Sequence, residues 1–188
     1  MRHADFLAGI TRGGAVKPPE NPLPHSPMRL QNRIKIRVVK PDGSIRSETP
    51  WLHNIMTTFG LASLASRVGT ASGANVNTTT EFVSAMKIGT GTTAATSSDT
   101  SLVASTASVT IGNASFTKSN LGNRTVEYQA SFPSNAPAGS AVISEVGLFL
   151  NSTADSQLAA RTVLGASSVN KLASDTLNIS YQIVFTTA

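Results

Sequence analysis

Two stretches of this chain alternate apolar and polar residues almost one for one, and a period of two is the signature of a β-strand with one face buried. In the first, Ile34, Ile36 and Val38 interleave with Arg33, Lys35 and Arg37. In the second, Leu177, Ile179, Tyr181, Ile183 and Phe185 interleave with Asn178, Ser180, Gln182, Val184 and Thr186. A helix would scatter either apolar set around its circumference, so only extended backbone gathers them onto a core. Lys40-Pro41-Asp42-Gly43 supplies a turn after the first strand and predicts a hairpin with Ser44 to Thr49.

Further strands are expected near 82–88, 105–117, 124–132, 141–150 and 157–164, separated by turns such as Ser119 to Asn123 and Pro133 to Gly139. Only 13% of residues are charged, while Ser, Thr, Ala and Gly abound, which favours strands over helices lined with Glu and Lys. One helix is predicted over 54–68. Ile55, Phe59, Ala62, Ala65 and Val68 recur there every three or four residues, with Asn54 as N-cap and Gly69 beyond. Residues 69–80 read as a loop. The fold class is all-β: an antiparallel, jelly-roll-like β-sandwich over residues 33–188 with one side helix and an extended N-terminal arm.

The arm spans residues 1–32. Pro18, Pro19, Pro22, Pro24 and Pro27 remove backbone donors and bias the preceding residues toward extended geometry, which excludes helix and central strand. Charge is concentrated here too. Residues 1–46 hold nine basic and three acidic side chains, a net of +6, and the remaining 142 residues net −1. Ordering such an arm costs on the order of 1–2 kcal/mol per residue. Its few apolar side chains cannot recover that alone, so a neighbouring chain is expected to hold it. The expected contact residues are Arg2, Arg12, Lys17, Arg29 and Arg33 for electrostatic steering, with Phe6, Leu7, Ile10 and Leu23 as anchors. An acidic protein surface is the expected partner rather than nucleic acid, because Phe6 is the arm's one aromatic for base stacking and the charges are spaced by prolines.

Little in the body points to catalysis, and no enzyme activity, metal or cofactor is expected. The chain has no cysteine, so disulfides, thiolate nucleophiles and Cys-based zinc sites are excluded. His3, His25 and His53 have no second ligand at metal-binding spacing, and no Gly-x-Ser-x-Gly elbow occurs. Gly89-Thr90-Gly91-Thr92 has the look of a phosphate-cradling loop, but no Lys-Ser/Thr follows it, so a turn is expected. Glu145 falls inside an apolar strand and is expected to form a structural ion pair with Arg161 or Arg124. Five Asn-x-Ser/Thr sequons are read as chance matches, since Phe6 to Ile10 is too short for a secretory signal and no run is long enough to span a bilayer. The expectation is a protein made in a cytoplasm, without membrane contact.

One set of residues points further. His53-Asn54, Gly60-Leu61, Ile88-Gly89-Thr90-Gly91-Thr92, Thr100-Ser101-Leu102, Glu145-Val146-Gly147-Leu148-Phe149, Leu158 to Arg161, Lys171 and the alternating C-terminal strand resemble a module of tailed-bacteriophage structural proteins. The resemblance covers about residues 34–186. It implies a small β-sandwich in the virion, commonly trimeric, in capsid decoration or cement subunits and in tail or head-fibre components. The short, basic, N-terminal extension favours a cement subunit bound to the major capsid protein or another virion protein. A tail, collar or fibre-attachment subunit is the alternative. A carbohydrate-binding module is less well supported, because Trp51 is the sole Trp available for stacking on sugars.

Overall fold

The computed structural model describes residues 28–69, 83–110, 115–122 and 124–187. In chain order the strands are β1 (Met28–Val39), β2 (Ile45–Glu48), β3 (Leu52–His53) and β4 (Ile55–Met56), followed by helix α1 (Thr58–Gly69). Then come β5 (Ala85–Gly89), β6 (Ser105–Thr110), β7 (Phe116–Asn120), β8 (Thr125–Phe132), β9 (Ala141–Ile143), β10 (Glu145–Phe149), β11 (Leu158–Val163), β12 (Val169–Lys171) and β13 (Thr176–Thr187). They form an antiparallel all-β sandwich with one helix at its side. The larger sheet runs β2-β1-β13-β8-β7, with β3 also paired to β1, and the second sheet runs β4-β11-β10-β5-β6. A short β12-β9 pair stands apart.

The two alternating stretches are neighbours. β1 pairs with β13 along its whole length, from Met28 opposite Thr187 to Val39 opposite Thr176. Ile34, Ile36 and Val38 thereby join Leu177, Ile179, Tyr181 and Ile183 in one core, capped from the second sheet by Met86, Ile88, Val146 and Leu148. The hairpin turn forms as expected. Gly43, at φ +83°, adopts the left-handed conformation that its missing Cβ permits, and its N–H donates to the Lys40 carbonyl at 2.9 Å.

In the second sheet alternation fails because both faces are covered. Every residue of β5 and β10 is buried. Loop 90–104 lies over the outer face, where Leu102 packs with Ala85, Phe149 and Leu158 in a second small core. Leu148 and Phe149 accordingly fill opposite faces, and Gly147 leaves room, since a Cβ there would lie 2.8 Å from Leu158 and 2.9 Å from Leu102.

Several boundaries differ from the sequence reading. The sheet begins at Met28, so residues 28–32 belong to the body and not to the arm. The span 105–117 holds parts of two strands in different sheets, β6 and β7, and 141–150 breaks at Ser144, whose N–H donates to the Gly89 carbonyl at 2.9 Å. The helix starts later than predicted, because Ile55 and Met56 are held as strand by pairing with Arg161 and Ala160. Asn54 is therefore not its cap. Thr57 is: its hydroxyl accepts the Gly60 N–H at 3.0 Å and donates to the Leu158 carbonyl at 2.5 Å. Asn54 turns inward and donates through Nδ2 to the Tyr181 hydroxyl, whose pKa burial pushes well above its ordinary value.

The periodic residues that marked the helix lie on its outward face: Phe59 is 41% exposed, Ala62 and Ala65 are exposed as well, and Ile55, on β4, is also 41% exposed. Gly60 faces the sheet instead. A Cβ at Gly60 would lie 2.1 Å from the Ala159 carbonyl oxygen, so glycine is what lets α1 sit flat on β11.

Candidate interaction surface

Of the predicted contact residues, Arg2, Phe6, Leu7, Ile10, Arg12, Lys17 and Leu23 lie outside the described residues; Arg29 and Arg33 lie within them, on β1. The pleat of β1 buries Asn32, Ile34, Ile36 and Val38 and half-buries Leu30. Arg29, Gln31, Arg33, Lys35 and Arg37 consequently share the outer face of the larger sheet. At about 3.3 Å per residue, successive members of this row stand roughly 7 Å apart.

Each described cation of the row beyond Arg29 is held by a neighbour that sequence distance conceals. Arg33 donates through Nε to Gln182 Oε1 at 2.7 Å, and its guanidinium lies 4.8 Å from the centre of the Trp51 ring. Gln182 in turn donates to Glu127 Oε1 at 2.9 Å, and Gln129 donates to Glu127 Oε2 at 2.7 Å. Lys35 and Arg37 share Glu48 across the hairpin, Arg37 Nε donating at 2.6 Å. The two cations hold the Glu48 carboxyl below the ordinary carboxylate range, through hydrogen bonds from Lys35 first and Arg37 second. Beside them a shallow depression of about 410 Å³ is lined by Arg37, Thr117, Gln129, Ser131, Asn178 and Ser180. The face is thus polar, with a basic edge. Trp51 and the Gln182-Glu127-Gln129 chain were not singled out as members of it from sequence, because only the strand register brings them beside Arg33.

The ion pair expected at Glu145 exists, and its partner is Arg161. Glu145 is fully buried; Arg161 donates to its Oε2 from Nη2 at 2.9 Å and from Nε at 3.0 Å. Arg124 lies elsewhere, in the turn before β8. Three backbone N–H groups complete the shell, those of Ala104 at 2.7 Å and Gly91 at 3.1 Å on Oε1 and that of Val103 at 3.1 Å on Oε2. Arg161 also donates to Asp99 Oδ2 at 2.7 Å and to the Thr93 carbonyl at 3.0 Å.

The Gly-Thr-Gly-Thr segment therefore does cradle an anion, and the anion is the chain's own. A Cβ at Gly89 or Gly91 would fall 2.6 or 2.5 Å from Glu145 Oε1. These glycines make space for a carboxylate; they are not at positive φ, so the tight-turn role expected of them is replaced by this steric one. The network fastens loop 90–104 over the second sheet. Other buried charges are similarly placed. Lys171 reaches the Ser134 carbonyl at 2.9 Å, with burial lowering its pKa, and Asp175 accepts from Arg46 at 2.7 and 3.1 Å, which lowers its own.

Among the described residues no cluster of three or more His, Cys, Asp or Glu could hold a metal ion, and no helix is long and apolar enough to cross a membrane. No protein-family model, curated protein or solved structure matches the chain.

Proposed function

We propose that this chain is a structural subunit of a phage virion, a capsid decoration or cement protein whose basic N-terminal segment clamps neighbouring capsid proteins. The observation that carries the reading is the continuity of positive charge. The excess of +6 over residues 1–46 runs from Arg2, Arg12 and Lys17 onto the outer row Arg29, Arg33, Lys35 and Arg37 of β1. A basic track of this kind suits an acidic protein surface, because charge steers encounter while apolar anchors slow release. The body supplies a rigid mount. With about 3.1 Å per residue in polyproline geometry, residues 1–27 span up to roughly 80 Å, enough to cross a junction between shell subunits. The resemblance to tailed-phage virion modules supports the same setting.

The test is binding of two proteins, the full chain and residues 28–188, to virions and to emptied shells from the source phage, with antibody labelling of the particles. The reading expects labelling of the shell and loss of binding on removal of residues 1–27. Labelling confined to the tail would favour the tail or collar subunit, and unchanged shell binding without the arm would overturn the clamp.

A further inference from the structure

We infer that the far edge of β6 is a seam at which two copies of this chain pair antiparallel, joining their second sheets into one. Among the described residues no strand lies beyond β6, so alternate residues point their backbone N–H and C=O groups away from β5 with no ladder partner. Such a row is a template for another strand, and folded proteins usually guard it with charge, proline, a bulge or brevity.

The other strands that end the two sheets are guarded in these ways. β2 carries Arg46 and Glu48, with a register shift in its pairing to β1 and Pro50 just beyond. β4 is two residues long. β7 places Lys118 opposite Tyr128, in the row of alternate residues that starts with the buried Phe116, so a charge stands on the inward side of that edge. β6 shifts register only at its start, opposite Gly89, and pairs regularly from Ala107 to Thr110. No charged residue and no proline occurs from Thr100 to Thr110.

Charge and side-chain pattern identify the occupant. At a formal net charge of +5, two copies repel unless they meet where neither is charged, and Thr100 to Thr110 is such a place. A strand from an acidic partner would find no cation on β6, and Lys87, beside it on β5, is already paired with Asp155. β6 is also complementary to itself. Thr106, Ser108 and Thr110 are exposed, while Val109 is buried and Ala107 half-buried. Turned about a two-fold axis through Ser108, one strand sets Thr106 against Thr110, Ser108 against Ser108 and Ala107 against Val109 of the other. Hydroxyl then meets hydroxyl on the outer face and apolar meets apolar on the inner one. Centring on Ala107 instead would set Ser105 against Val109. The contact is isologous, so it closes at two copies. It goes beyond the virion reading and does not depend on it.

The chain has no cysteine, so Ser108→Cys introduces a sole thiol. On the axis that thiol faces its own copy with Cα atoms about 4.5–5.5 Å apart, within disulfide reach, whereas two Thr106→Cys thiols would stand about 13 Å apart along the seam. A seam of one strand buries less than about 1,000 Å² and is weak, so the full chain is studied at high concentration. Light scattering is expected to show a mass that rises with concentration toward the dimer, and oxidation to link Ser108→Cys at least about tenfold faster than Thr106→Cys. Ser108→Lys sets like charges directly opposite and should return the mass to the monomer while the circular dichroism spectrum stays unchanged. A mass that remains monomeric at every concentration, a larger mass unaffected by Ser108→Lys, or Ser108→Cys linking no faster than Thr106→Cys overturns the inference; a strand supplied by a different protein would give the first of these.

Discussion

Replacing Gly60 by Ala separates what helix propensity predicts from what packing predicts, because the two have opposite signs. In a solvent-facing helix the change should stabilise by up to about 1 kcal/mol. In this structure the new methyl would sit 2.1 Å from the Ala159 carbonyl oxygen and 2.8 and 2.9 Å from that residue's carbonyl carbon and Cα, all backbone of β11. Contacts under 3.0 Å do not persist, so the helix must lift from the sheet. Overpacking of this kind costs about 1–3 kcal/mol. The same carbonyl accepts from the Thr57 N–H at 2.9 Å and its hydroxyl at 3.1 Å, and disturbing that pair costs about 1 kcal/mol more. The net is a loss of about 2 kcal/mol, or a fall in Tm of roughly 4–8 °C for a domain of this size. Thermal unfolding followed by circular dichroism reads it, with Ala62→Gly on the outward face as a propensity control that should cost about 1 kcal/mol. If Gly60→Ala melts at or above the parent temperature, α1 does not rest on β11 as described.

The buried carboxylate gives a second expectation. Glu145→Ala leaves Arg161 on Asp99 and the Thr93 carbonyl but unpairs the Gly91, Val103 and Ala104 N–H groups, and should cost about 3–5 kcal/mol; the paired change Glu145→Leu/Arg161→Met should fail to rescue it, since those N–H groups stay unpaired, and urea unfolding of the three proteins decides this. Residues 28–188 should melt within about 2 °C of the full chain, whereas a start at Arg33 removes the first five residues of β1, opposite Ile183 to Thr187, and should cost several °C by calorimetry. Acid should destabilise the fold. Asp175 and Glu48 have lowered pKa values through hydrogen bonds from Arg46 and Lys35, so the native state binds fewer protons than the unfolded one. Their contribution is complete above the ordinary carboxylate range of about 4 and is lost as pH falls toward the depressed values. Asp175→Asn should flatten that acid limb in denaturant midpoints measured against pH.

Much of the fold was legible in the residues because a strand with one covered face writes its burial into the order of side chains. The alternation from Arg33 to Val38 and from Leu177 to Thr186 placed two strands and their inward faces without reference to anything distant. The turn at Pro41-Asp42-Gly43 was equally local, depending on a fixed φ, an acceptor side chain and a residue tolerant of positive φ. The basic bias of residues 1–46 and the proline run are likewise properties of the chain as written.

What only the tertiary structure decided is which surface each element turns to its neighbours. Nothing local tells Phe59, Ala62 and Ala65 that their stripe faces outward, because that depends on Gly60 meeting the Ala159 carbonyl a hundred residues away. Nor can a run such as Glu145 to Phe149 announce that loop 90–104 covers its second face and that its carboxylate fills the space two glycines leave open. Periodicity records contact with one layer; sites assembled from separate layers, whether the Arg33-Gln182-Glu127 row or the Glu145 cradle, exist only once long-range pairing sets the register.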